Sequence, residues 1–245
     1  MISDILYAGV QGSYKSFEIA IFQGEELIKI VGGDKIQASS DFVVYFQKIL
    51  KDCGKNLKDL SFIAVDQGPG AFTSLRVIIS TVNGIAFSKK PEFTKNPGES
   101  SGFLVGVDGL DALAKETVLK FFPDKSLESL NDDFCLVSLL NAYNNEVYYG
   151  VYAGNTISKD YKKVDVFLDE LSEKFESKKI IFTGNGAQMH RELIYEKFGD
   201  RIVEPFSPLL TCSAEQVGKI GFELWNKKEN LSFKLKPLYL KSSWG

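Results

Sequence analysis

The sequence predicts an α/β protein of two similar lobes, each a mixed sheet flanked by helices. Three observations carry this. Hydrophobic period in the first half reads strand, strand, strand, helix, strand, helix, strand, helix. The second half repeats that element order with no residue-level repeat between the halves. A chain of 245 residues is long enough for two compact lobes, each with its own core. The boundary falls near 107–110. It gives an N-terminal lobe over 1–108 and a C-terminal lobe over 109–245, the last helix being free to pack back on the first lobe.

Each element has a local reason. Asp4 to Val10 is an apolar run, Ser16 to Phe22 alternates around Phe17, Ile19 and Ile21, and Glu25 to Val31 around Leu27, Ile28 and Ile30. Gly12-Ser13 and Gln23-Gly24 supply the turns. Ser39 or Ser40 caps a helix to about Cys53, whose face is Phe42, Val43, Phe46, Ile49, Leu50 and Cys53, and Gly54 stops it. Ser61 to Val65 is a short buried strand. A helix from about Ala71 to Phe87 follows, then a strand over Phe103 to Val107 and a helix over Gly109 to Phe122, ended by Pro123. In the second half the strands are Phe134 to Leu140, Glu146 to Tyr152, about Tyr161 to Val166, Lys179 to Phe182 and a short Arg201 to Val203. The helices are Phe167 to Glu176, Ala187 to Phe198 and Ser213 to Trp225.

Composition closes several functional classes. Lys and Arg number 29 against 32 Asp and Glu, a net charge of −3, which excludes a strongly basic nucleic-acid binder. The single histidine, His190, excludes a metal site of two or more imidazoles. Cys53, Cys135 and Cys212 are far apart, odd in number and without a C-x-x-C pair. Zinc ribbons and a disulfide framework are therefore out, and a reducing compartment is favoured. No apolar run approaches the ~20 residues of a membrane span. The first residues lack the basic and apolar regions of a secretory signal, so the cytoplasm is the expected location.

The sharpest local feature is Gly68-Pro69-Gly70-Ala71-Phe72-Thr73, a glycine turn between a strand and a helix. It reads either as a structural corner, with glycine supplying unusual backbone angles, or as an anion cradle at a helix N-terminus. It is not a P-loop, because no lysine follows. Asp66 ends the strand before it and has no matching carboxylate on the first strand, so a solvated or capping role is expected. The helix after the turn carries more apolar surface than one core face needs. It is buried either wholly in its own domain or partly by another chain.

Three further features carry less. Gly98-Glu99-Ser100-Ser101-Gly102 matches the G-x-S-x-G nucleophile elbow, but a polar loop precedes it and a strand follows, the reverse of what that chemistry needs. His190 reads as a surface helix residue, and Gly184-Asn185-Gly186 as a helix-entry turn. Lys227, Lys228, Lys234 and Lys236 read as solvated surface.

The residues also carry a resemblance. Ala64 to Phe87, AVDQGPGAFTSLRVIISTVNGIAF, resembles the signature GPGSFTGLR and the apolar helix ending in GLAF of the bacterial TsaB (YeaZ) family. Val137 to Tyr152 resembles that family's VSLDARRGEVYAALY stretch, Phe182 to Ala187 its G-D/N-G-A turn, and Pro237 to Leu240 its C-terminal P-x-Y-L/V-R. The resemblance spans most of the chain in order. It implies lobes of the actin/Hsp70/sugar-kinase type. It also implies a non-catalytic partner of the transferase TsaD, joined by the ATPase TsaE, in placing threonylcarbamoyl on the adenosine beside the anticodon of tRNAs that read codons starting with A.

The family also forms homodimers, and it has lost the metal-binding histidines of TsaD, with which the single histidine here agrees. The implied partner surface is the first helix around Phe42, Val43, Phe46 and Ile49, and the second around Phe72, Leu75, Arg76, Ile79, Val82 and Asn83. The resemblance assigns no cofactor to this chain and places ATP and metal on the partner subunits. With a net charge of −3, tRNA is expected to be held mainly by the partner. The chain departs from the pattern at several places. Gly9 stands where the phosphate-loop aspartate is expected, which speaks against nucleotide hydrolysis. Ala38-Ser39-Ser40 replaces H-S-E, Ala71 and Ser74 replace Ser and Gly, and Asp66-Gln67 replaces small residues. Lys89 to Ser101 is longer than the usual connection. Two enzyme readings stand beside this one: a glycoprotease-type peptidase, which the histidine count opposes, and an actin-like small-molecule kinase, which Gly9 opposes.

Overall fold

The computed structural model describes residues 2–14, 16–93, 102–127, 134–154, 156–203 and 206–241. The chain forms two compact units, Met1–Gly109 with Ser213–Leu238, and Leu110–Cys212 with Tyr239–Gly245. Residues 213–238 thus belong with the first unit.

The first unit is a six-stranded sheet. Its strands are β1 (Leu6–Gln11), β2 (Ser16–Gln23), β3 (Glu26–Asp34), β4 (Phe62–Asp66), β5 (Leu104–Val107) and the two-residue β10 (Leu231–Ser232). Their order is β10-β5-β4-β1-β2-β3, with β1, β4 and β5 parallel and β2 and β3 returning antiparallel. Period-two alternation sends Ala8, Val10, Ile19 and Ile21 to one face, under α1 (Lys35–Asp52) and α2 (Phe72–Phe93). Phe42, Phe46 and Ile49 of α1 and Ile79 and Val82 of α2 fill that side of the core. Burying each such side chain contributes about 1.5–3 kcal/mol.

The opposite face takes α7 (Ala214–Lys227), capped by the Ser213 hydroxyl, which accepts the Gln216 N–H at 3.1 Å. Small residues set the contact. A Cβ on Gly9 would stand 2.2 Å from the Ala214 carbonyl and 2.8 Å from Gly218. Beside this seam the rings of Phe22, Tyr7 and Phe62 stack at 4.8 and 4.6 Å, and Trp225 stacks on Phe62 at 5.2 Å.

The second unit holds β6 (Phe134–Tyr143), β7 (Glu146–Ala153), β8 (Thr156–Lys163) and β9 (Lys179–Thr183) in the order β8-β7-β6-β9. One face packs on α4 (Val164–Lys174), α5 (Asn185–Met189) and α6 (Arg191–Phe198), and the other on α3 (Gly109–Phe121). Its hairpin-connected strands and its parallel β6–β9 pair repeat the β3-β2-β1-β4 arrangement of the first unit. Two mixed sheets flanked by helices, built to one plan, are the actin-like arrangement expected above.

Several boundaries differ from expectation. α1 begins at Lys35, with Asp34 at its cap position, ahead of Ser39 and Ser40. α2 runs to Phe93. The third strand of the second unit is Thr156–Lys163, and Val164 already starts α4. The expected helix over 187–198 is two helices broken at His190. Arg201 to Val203 gives only a bridge between Ile180 and Ile202. Ser100, and with it the G-x-S-x-G stretch and most of the Lys89–Ser101 connection, lies outside the described residues.

Candidate functional site: the glycine turn and the outer helix face

The Gly68-Pro69-Gly70 turn joins β4 to α2 and closes on the loop after β1. Gly68 adopts φ +97°, a conformation that favours glycine. A Cβ on Gly70 would stand 2.6 Å from the Ser13 carbonyl, so the two loops touch backbone to backbone. Three hydrogen bonds hold the turn from within the protein. Gly68 N–H donates to Asp66 Oδ1 at 2.8 Å, Ala71 N–H to the Ser13 carbonyl at 2.8 Å, and Gly109 N–H to the Gly68 carbonyl at 2.8 Å. The donors at Gly68 and Ala71 are therefore already used within the protein.

Asp66 is not solvated. It is 2 % exposed, caps the Gly68 N–H through one oxygen, and has no partner for Oδ2. Burial pushes its carboxyl up to about 6. The Gly68 N–H and the Ser13 hydroxyl pull it down, and the Asp108 charge adds to the rise. Sequence reasoning missed this burial, because the groups around Asp66, Ser13 and Asp108 among them, come from separate parts of the chain. The strand-end residue facing the turn is Gln11, whose Nε2 donates to Ser13 Oγ at 3.1 Å. Gly9 lies two residues earlier, mid-strand and against α7, so its lack of a side chain serves packing. Among the described residues no three His, Cys, Asp or Glu side chains gather to hold a metal ion.

The ten partner-surface residues divide three ways. Phe42, Phe46, Ile49, Leu75, Ile79 and Val82 are all buried inside the first unit and cannot present their side chains to another chain, which corrects that expectation. The reason is helical phase: 42, 46, 49 and 75, 79, 82 are the inward stripes of their helices. Asn83 is turned to its own chain, where Nδ2 donates to the Leu235 carbonyl and Oδ1 accepts the Leu235 N–H. Val43 and Phe72 are outside, 43 % and 47 % exposed, and the Arg76 guanidinium lies 3.7 Å from the centre of the Phe72 ring. Val44 and Phe87 of the same two helices are also exposed, at 61 % and 76 %. Val43 and Phe87 each stand one residue past a buried one, Phe42 and Ala86, and Val44 stands two past Phe42, whereas Phe72 is in phase with the buried stripe and is exposed at the first turn of its helix. Thr73, of the turn motif, is exposed.

Elsewhere, His190 is half-buried at the α5–α6 break rather than on a helix surface. Its Nε2 is without a partner, and burial lowers its pKa. The Gly184-Asn185-Gly186 turn is a filled corner, its first two N–H groups donating to the carbonyls of Leu209 and Leu210. Lys227, Lys228, Lys234 and Lys236 are exposed.

Residues 37–223 match the family described as TsaD, tRNA N6-adenosine threonylcarbamoyltransferase. The chain belongs to the TsaD family. Its similar relatives and solved structures carry the names TsaB and YeaZ. It is 24 % identical over 191 residues, 76 % of its length and 80 % of the relative's, to the tRNA threonylcarbamoyladenosine biosynthesis protein TsaB of Buchnera aphidicola from Schizaphis graminum. The TsaB of Buchnera aphidicola from Acyrthosiphon pisum is 22 % identical over 70 % of this chain and 65 % of that protein. The solved YeaZ of Pseudomonas aeruginosa superposes with TM-score 0.67 at 17 % identity, covering 96 % of this chain and all of that one. A Pseudomonas aeruginosa protein described as similar to peptidase YeaZ gives TM-score 0.65 at 18 % identity, over 97 % of this chain and 100 % of that one. At such identities the solved structures establish the fold alone.

Proposed function

We propose that this TsaD-family chain is a non-catalytic subunit of tRNA threonylcarbamoyladenosine biosynthesis. It docks on a TsaD-type transferase, with a TsaE-type ATPase as the third component, to form N6-threonylcarbamoyladenosine in tRNAs reading codons that start with A. The observation that carries this reading is the outer face of α1 and α2. Val43, Val44, Phe72 and Phe87 leave large apolar side chains in solvent on adjacent helices of one unit, a patch of the kind that marks a protein interface. Two further points support it: the TsaB relatives are described as proteins of this biosynthesis, and one histidine per chain is too few for an imidazole-based metal site.

A homodimer is part of the same reading. ATP, metal and most tRNA phosphate contacts belong to the partner subunits, in keeping with a net charge of −3 and a glycine turn whose Gly68 and Ala71 N–H groups are already paired within the chain. The complex works in the cytoplasm; no helix among the described residues is long and apolar enough to cross a membrane.

The experiment is depletion of the protein followed by mass spectrometry of tRNA nucleosides. The reading expects threonylcarbamoyladenosine to fall, and an unchanged level rejects it. ATP turnover by the purified chain alone at ~1 per second or faster would remove the word non-catalytic.

A further inference from the structure

The second unit holds a pocket of about 120 Å³ between its sheet and α4. It exists because β8 turns small side chains, Thr156 and Ser158, toward the helix, so sheet and helix part at that end. The floor is Tyr149, Val151, Phe167, Leu171 and Phe175, none more than 8 % exposed, with the Tyr149 and Phe167 rings stacked at 4.3 Å.

Two charges stand at the rim, one helical turn apart, in different states. Glu170 accepts two hydrogen bonds from Lys162 Nζ, at 2.8 and 2.6 Å, so its charge is compensated within the protein. Lys174 has its ammonium 5.5 Å from the Phe175 ring, and among the described residues no carboxylate pairs with it. The pocket thus offers an apolar floor, a positive charge without a counter-charge, and the hydroxyls of Thr156 and Ser158 at the same mouth.

We propose that this pocket binds a small apolar carboxylate, its branched aliphatic or aromatic body on the floor and its carboxylate on Lys174. An amine is disfavoured, because Glu170, the one carboxylate among the described lining residues, is already neutralised by Lys162. Two sources share this chemistry: a free carboxylic acid and the C-terminal residue of a peptide. β8 is the edge strand of its sheet, so a peptide can also pair with its outer backbone, which a free acid cannot.

The test is titration of the full chain, followed by amide NMR shifts, with 4-methylpentanoate and phenylacetate, and with N-acetyl-Gly-Val-Leu, each against its neutral amide. The acids are expected to shift signals of β7, β8 and α4 and to bind about tenfold more tightly than the amides. Lys174→Gln is expected to remove that preference, and Ser158→Leu, which fills an exposed mouth, to remove binding of acid and amide alike while the remaining spectrum stays folded. Tighter binding of the peptide than of the free acids supports the proposal with a chain terminus as ligand; the reverse order supports it with a metabolite-sized acid. Equal binding of acid and amide by the natural chain, shifts confined to other elements, or a preference that survives Lys174→Gln overturns it.

Discussion

Asn83 and the backbone of Leu235 exchange two hydrogen bonds, 3.0 Å from Asn83 Nδ2 to the Leu235 carbonyl and 2.8 Å from the Leu235 N–H to Asn83 Oδ1. A helix side chain thereby does for the C-terminal segment what a neighbouring strand does in a sheet. Gln67 repeats the device: its Nε2 donates to the Lys236 carbonyl at 2.7 Å, and its own carbonyl accepts the Leu238 N–H at 2.7 Å. The side chain of Leu235, held at the first of these anchors, is buried in the core shared by α1 and α2.

Asn83→Ala leaves both Leu235 backbone groups without partners, at a cost of about 1–3 kcal/mol. The expected outcome is a lower thermal midpoint with partner affinity per folded molecule unchanged. Differential scanning calorimetry together with a partner titration checks both halves.

Asp66 gives a pH dependence whose sign follows from its raised pKa. The carboxyl titrates at about 6 when folded against 3.8 ordinarily. The unfolded chain therefore releases the proton first, and stability is lost as pH rises from about 3.8 to about 6. Asp66→Asn keeps an acceptor for Gly68 and removes the buried charge. Its expected gain over the natural chain is at most about 3 kcal/mol above pH 6 and vanishes below pH 4. Urea unfolding at a series of pH values measures it.

Close packing of α7 on β1 predicts a steep response to a single methyl group. Gly9→Ala would drive its Cβ into the Ala214 carbonyl and the Gly218 backbone. The expected loss is about 1–3 kcal/mol or more, read as a lower urea midpoint. Gly54→Ser, where a Cβ meets nothing within 4 Å, is the control. It pays only for its left-handed backbone, φ +68°.

Much of this was legible in the sequence, and the failures have physical causes. Element order came through because buried strands and amphipathic helices write distinct periods. β8 was misplaced because an edge strand needs little apolar content: its Thr-Ile-Ser-Lys-Asp-Tyr-Lys-Lys is mostly polar, while the following Val164 and Phe167 are the core side of α4. The glycine turn announced itself, but the surroundings of Asp66, in which Ser13 and Asp108 act on its carboxyl, are assembled only by folding. On α1 and α2 the sequence shows apolar residues on more than one side and leaves open which stripe faces inward. The sheet decides, taking Phe46 and Ile79 and leaving Val44 and Phe87 outside.

That division separates folding from docking. Phe46→Asp or Ile79→Asp places an unpaired charge in the core of the first unit and is expected to unfold it, so neither variant tests an interface. Circular dichroism of the purified variants checks this.

The outer face gives the most direct measurement. The double variant Phe72→Asp with Phe87→Asp changes two exposed side chains and is expected to keep the natural thermal midpoint within a few degrees. Titrated against a purified TsaD-type partner, it is expected to bind at least about tenfold more weakly. A folded double variant that binds the partner as tightly as the natural chain would contradict the account.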